Sequence, residues 1–250
     1  MSFDQNSQNY LLSSDHRLSK GDKHNDDLVY VQEYFEGASF GTLLDVGTGA
    51  GHFIKIFNAK TKYGIDASFN MLKQSRVNQF GNICINADAA KLPFKSNAFD
   101  IVICRLVLHH LGNSETLFHE VSRVIKENGI FVLIDTVTDV DDSYLNVIEF
   151  LRENSHKRVY TIKEIISFSS DDFRLVHYNQ IFRKHDFNEW VKRGGASERE
   201  IERVKRAFIG LPEHIKEDLK VEASEEDVFY YTDKKGVFIF KEMQKEHGMC

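Results

Sequence analysis

The sequence predicts an α/β fold: a doubly wound, mostly parallel sheet of about seven strands with an antiparallel edge, plus a helical insertion before the last strands. Three observations predict it. Short apolar runs alternate with stretches of helical period, the pattern of parallel strands joined by crossovers. Asp45, Asp66, Asp88 and Arg105 fall at or just after the carboxyl ends of these runs, where such sheets bind ligands. One run, Leu43 to Val46, leads directly into Gly47, Gly49 and Gly51, three glycines at every second position.

Taken in order, residues 1–24 are rich in Ser, Asn, Asp and Lys and read as a flexible arm. Leu28, Val29, Val31 and Tyr34 then predict a helix from Asp26 to Phe35, stopped at Gly37. After the glycine turn a second helix is expected to open at Phe53-Ile54 and Ile56-Phe57. Strands follow at Lys62 to Asp66, Ile83 to Asn86, Phe99 to Cys104 and Ile130 to Asp135. Ser68 reads as the cap of a helix carrying Met71 and Leu72, while Asp66 precedes that helix and has no capping role. A further helix runs from about Ser114 to Lys126, stopped by Asn128-Gly129. Later come helices at Tyr144 to Leu151 and Thr161 to Phe168, then a strand at Phe173 to Phe182. The stretch Asp186 to Asp218 is helical in pattern, broken at Gly194-Gly195-Ala196 and at Gly210-Leu211-Pro212. Two last strands, Val228 to Tyr231 and Val237 to Phe240, are expected on either side of a turn at Asp233 to Gly236.

Composition bounds the function. A chain of 250 residues, 42% hydrophobic and 28% charged, suffices for one large domain over 1–250. The net charge is −6 with both signs mixed and no basic block, which argues against nucleic acid as a partner. Cys84, Cys104 and Cys250 are isolated, so neither a disulfide framework nor a metal site is expected, and a reducing cytoplasm suits them. The N-terminus has no signal-peptide pattern and no stretch has membrane-spanning length, so no membrane span is expected.

The glycines allow positive φ angles and strip away the Cβ atoms that would hold a ligand off the backbone. Dinucleotide enzymes space theirs as G-x-G-x-x-G; here the third glycine comes one residue early and His52 stands in the expected place. The run Asp45-Val46-Gly47-Thr48-Gly49-Ala50-Gly51 instead resembles the first motif of class I S-adenosylmethionine-dependent methyltransferases, enzymes with a Rossmann-like sheet. Asp88-Ala89 with Leu92-Pro93-Phe94, Phe99 to Val102, and Glu120 to Lys126 running into Gly129 resemble the rest of that signature. The stretch Arg105 to His110 is similar to small-molecule members grouped with the ubiquinone and menaquinone biosynthesis methylases, and bacillus-type relatives extend the likeness through Ser155 to Arg158 and Trp190 to Gly195.

The resemblance implies S-adenosylmethionine as cofactor, S-adenosylhomocysteine as product and a small-molecule methyl acceptor as partner. It places the methionine end of the cofactor at Gly47, Thr48, Gly49 and Gly51. Asp45 either orients that turn or meets the cofactor ammonium through water. Asp66, with Ala67 and Met71 beside it, lies where a carboxylate accepts both ribose hydroxyls. Asp88 and the Ala89 backbone either read the adenine or form a plain turn. Arg105 binds a cofactor or substrate carboxylate or makes a surface salt bridge. His109 and His110 are candidate general bases, or simply line a helical turn. Trp190 and Arg193 are candidate acceptor contacts within the insertion, 183–223, which is expected to cover the site. Phe182, Phe187 and Phe208 either line the acceptor cavity or belong to the core. The Asn/Asp-Pro-Pro-Tyr/Phe signature of amino-methylating enzymes is absent, since Pro93 and Pro212 are the only prolines. Two other classes remain: a nicotinamide-dependent oxidoreductase, disfavoured by the glycine spacing, and a methyltransferase-like protein that holds the cofactor without catalysis.

Overall fold

A computed structural model describes residues 26–77, 83–138, 143–169, 172–193 and 195–243. The arm expected at 1–24, Gly194 and Cys250 lie outside the described residues. Strands β1 (Phe40–Val46), β2 (Ala59–Asp66), β3 (Ile83–Asn86), β4 (Phe99–Arg105) and β5 (Ile125–Thr138) run parallel. The short β6 (Tyr160–Thr161) pairs with β5. Strands β7 (Phe173–Asp186) and β9 (Val228–Glu242) form the antiparallel side, with β8 (Glu222–Ala223) added to β9. The sheet order is β3-β2-β1-β4-β5-β9-β7. The order reverses between β1 and β4, and a crevice at the carboxyl ends of the strands is the expected ligand site there.

Period-two alternation builds a core on each face of this sheet. Leu44, Val102, Cys104, Phe131 and Leu133 face one side, where Leu117, Phe118 and Val121 of helix α3 (Ser114–Val124) cover them. Leu43, Ile101, Ile103, Val132 and Ile134 face the other, against Leu28 and Val31 of helix α1 (Asp26–Tyr34) and Phe53, Ile54 and Phe57. Helix α2 (Phe69–Val77) is capped as expected, Ser68 Oγ accepting from the Met71 amide at 3.3 Å. Asp66, expected to play no part there, accepts from the Ser68 amide at 2.8 Å and holds the turn ahead of the cap.

Three expectations fail. The helix expected after the glycine turn is a single 3-10 turn, Ile54–Ile56, because β2 begins at Ala59 and leaves room for no more. The strand expected from Ile130 is preceded by a bulge with Asn128 at φ 60°, and pairing already begins at Ile125. The turn expected at Asp233 to Gly236 does not exist: β9 runs straight through it. Hydrogen-bond ladders to β5 and β7 flank this segment on both sides, and they override the local turn preference. A Cβ on Gly236 would come within 2.5 Å of the Phe238 ring, so the glycine serves packing rather than a turn.

The insertion between β7 and β8 holds helices α6 (Phe187–Arg193), α7 (Glu198–Ile209) and α8 (Glu213–Asp218). It begins at Phe187, because residues 183–186 belong to β7. Glu200 and Ser197 form a capping box at the start of α7. Helices α4 (Ser143–Arg152) and α5 (Ile162–Phe168) complete the helices of the described residues. Among the described residues no helix is long and apolar enough to cross a membrane.

Candidate active site

One cleft of about 830 Å³ crosses the carboxyl ends of the strands. At one end Gly47, Gly49, Asp66, Ala67, Met71, Asp88 and Ala89 line it. Gly47 and Gly49 have φ of 71° and 53°. A Cβ on Gly47 would lie 2.2 Å from Cγ2 of Val107, and one on Gly49 would lie 3.1 Å from Cε of Met71. Only glycine lets this turn lie so close under the loop that leaves β4. Leu106 in that loop sits at φ 58°, an unusual conformation for a branched side chain. Its amide donates to the Ile134 carbonyl at 2.8 Å. The Asp66 carboxylate ties the turn to α2, accepting from the Gly49 amide at 2.9 Å as well as from Ser68. Asp88 Oδ1 accepts from the Ala90 amide at 2.9 Å and so shapes its own turn.

Asp45, Thr48 and Gly51 do not line the cleft but sit behind the turn. Burial pushes the Asp45 carboxyl up to about 7, opposed by the Thr48 hydroxyl and reinforced by the Asp66 charge. Thr48 packs on Gly64, where a Cβ would meet its side chain at 2.8 Å.

The other end of the cleft is polar and titratable. His109 follows β4 in a 3-10 turn, Leu108–His110, and its Nδ1 lies 2.5 Å from Oδ1 of Asp135 on β5. Asp135 also accepts from the Leu108 and Thr136 amides, both at 2.8 Å. Burial works against charge on His109, yet the Asp135 carboxylate outweighs it and holds the pKa above the ordinary value. His110 packs on His109 with ring centroids 4.1 Å apart. Burial, and then the His109 charge, push His110 below its ordinary value. The same two causes take His156 down to about 3.

Arg105 lines the cleft but directs Nε and Nη2 to the buried Asp27 of α1, at 2.7 and 3.3 Å, so its salt bridge is interior rather than on the surface. Lys235 Nζ reaches the same carboxylate at 3.3 Å. Burial takes Lys235 down to about 8, with Asp27 pulling the other way. Arg152 of α4 pairs with Glu149 at 2.7 Å and lies over the Trp190 ring at 4.7 Å. Trp190 and Arg193 both line the cleft. Phe187 and Phe208 are buried in the core of the insertion, and Phe182 is exposed under Lys220, so none of these three lines it.

Comparison with known proteins places the chain. Residues 44–133 match the model of a methyltransferase domain. An uncharacterized methyltransferase of Bacillus subtilis, YcgJ, is 31% identical over 61% of this chain and 65% of its own length. The crystal structure of YcgJ superposes with a TM-score of 0.82 at 23% identity, over 89% of this chain and 100% of that one. The uncharacterized protein YafE of Escherichia coli is 32% identical over 54% of this chain and 70% of its own length. The chain belongs to the class I S-adenosylmethionine-dependent methyltransferases.

The family cofactor, S-adenosylmethionine, fits this chain by a direct observation: the Gly47–Gly49 cradle is a surface that a Cβ would fill, with Asp66 beside it. Sequence reading missed Asp135, Asp27, Lys235 and the α4 charges. Asp135 ends an apolar run just as Asp45 and Asp66 do, so a signal was present. Lys235 was hidden inside a segment that reads locally as a turn.

Proposed function

We propose that the protein transfers the methyl group of S-adenosylmethionine to a small-molecule acceptor bound at the polar end of the cleft. The observation that carries this reading is continuity: one cavity runs from the glycine cradle and Asp66 to His109, Trp190 and Arg193. When bound, the cofactor supplies an electrophilic methyl on a sulfonium. Gly47 and Gly49 would form the bed for its methionine end, with Asp45, Thr48 and Gly51 supporting the turn from behind. Asp66 would accept the ribose hydroxyls, flanked by Ala67 and Met71, while Asp88 and Ala89 would meet the adenine. In-line displacement needs donor and acceptor held collinear and away from water, a task assigned to the insertion with Trp190 and Arg193. His109 would take the acceptor proton where one must leave, with Asp135 fixing its ring and steadying the resulting charge.

Calorimetry tests the reading: S-adenosylmethionine and S-adenosylhomocysteine should compete for a single site. Asp66→Ala should weaken both by about tenfold or more in a folded protein, given about 1.5–3 kcal/mol per hydrogen bond to a charged group. Binding of NADH with indifference to both sulfur compounds would overturn it.

A further inference from the structure

Strands β7 and β9 pair so that Ile181 stands opposite Lys235, Arg183 opposite Asp233 and His185 opposite Tyr231. Side chains alternate across a strand, so these six share one face of the sheet. Arg183, His185, Asp233 and Lys235 all line the cleft. The intervening cations are engaged elsewhere, Lys184 with Glu222 and Lys234 with Asp218.

Asp27 and Asp233 are the carboxylates that these cations face. Oδ2 of Asp233 lies 2.8 Å from Nε2 of His185, and its Oδ1 is buried without a hydrogen-bond partner. Asp27 receives both Arg105 and Lys235. Three cations, Arg105, Lys235 and Arg183, therefore gather where Asp27 and Asp233 are the two carboxylates. Nε of Arg183 is buried and has no hydrogen-bond partner. Buried donors are rarely left without an acceptor, and a guanidinium offers paired planar donors that match a carboxylate or a phosphate.

We propose that Arg183 anchors an oxyanion, a carboxylate or phosphate of the methyl acceptor, with Lys235 as the second cation of the same subsite. Naming this ligand the acceptor rests on the methyl-transfer reading above, whereas the anion subsite itself does not. The subsite stands on the β7–β9 face, across the cleft from the glycine cradle's end, so an acceptor held there by its charged group would extend its body toward His109 and Trp190.

The test uses the full chain saturated with S-adenosylhomocysteine and titrated with phenyl phosphate, benzoate and the neutral benzamide, followed by NMR. One of the anions should bind saturably and at least about tenfold more tightly than benzamide. Which anion wins separates phosphate from carboxylate. Arg183→Gln should weaken that anion by about tenfold or more, Arg183→Lys should weaken it less, and S-adenosylhomocysteine affinity should not change. Should Arg183→Gln fail to fold, Arg183→Met keeps the apolar stem and gives the same readout. The proposal is overturned if neither anion saturates, if benzamide binds as well, or if the folded variant binds the anion unchanged. It is also overturned if the variant loses S-adenosylhomocysteine instead, since Arg183 would then serve the cofactor. Failure of S-adenosylhomocysteine to bind the wild type would sink the methyl-transfer reading alone, and the anion titration without it would still decide the subsite.

Discussion

His109 and Asp135 are each shifted by the other, and the signs of the two shifts bound where the pair contributes. The folded pKa of His109 lies above its unfolded value near 6.5, so its share of stability is complete below that pH and is lost as pH rises through the folded value. Asp135 is depressed despite its burial, mainly by His109, so its share is present above 3.8 and is lost as pH falls through its folded value. The pair therefore contributes most between 3.8 and 6.5. With Asp135→Asn only the Glu149 and Glu153 charges still oppose the burial of His109, and its titration, followed by NMR, should move to lower pH. The same variant should lose about 3 kcal/mol or more at pH 6 and less at pH 9, read by denaturant unfolding. An unmoved titration would show that Asp135 does not set the charge of His109. If His109 is the proton acceptor, the alkaline-rising limb of the methyl-transfer rate should shift to lower pH in step with it.

At the scale of elements, the insertion does not pack alone. Phe187, Trp190 and Val191 of α6, Val204 and Phe208 of α7 and Ile215 of α8 bury together with Ile148 of α4 and Val228 and Tyr231 of β9. Arg152 extends that contact from α4 over Trp190. Helices α4 and α6 through α8 are thus expected to respond as one unit if the insertion covers the acceptor. Hydrogen exchange with and without S-adenosylhomocysteine should show protection rising at 187–208 and at 143–152 together. Protection rising in α6 while α4 stays unchanged would break the unit apart. No response in either, with cofactor and acceptor both bound, would make the insertion a rigid layer. Gly195, at φ 74°, lies between α6 and α7 and supplies the bend such a motion requires.

For the molecule as a whole, β9 is the strand on which the rest depends. It lies between β5 and β7, hydrogen-bonded along both edges, and Phe238 and Phe240 enter the larger core. Lys235 on the same strand joins Asp27 near the start of the described chain, across 208 positions. A chain ending before Val228 would expose the edges of β5 and β7 and strip the core from one side. It should show no cooperative thermal transition by circular dichroism and should aggregate. A cooperative melt in that truncation would mean that the parallel half folds without it.

The order of strands and helices, the glycine cradle, and the acids at the ends of β1 and β2 follow from the sequence, because each rests on a local period or on a backbone need that only glycine meets. Gly49 just follows β1 and Asp66 ends the neighbouring parallel strand β2, so their placement at one ligand site was legible from spacing. What joins distant segments was not legible. The Asp233 to Gly236 stretch has the composition of a turn, and only ladders on both sides keep it a strand. Asp135 meets His109 because β4 and β5 are neighbours in the sheet, and Arg183 meets Lys235 because β7 and β9 pair in one particular register. Phe187 and Phe208 share the helical spacing of Trp190, yet only Trp190 reaches the cleft. Local patterning therefore determined the elements and the cofactor bed. Register and packing between elements far apart in the chain decided the acid–base pair, the cation cluster and the shape of the acceptor chamber, because those contacts depend on which strand edges meet.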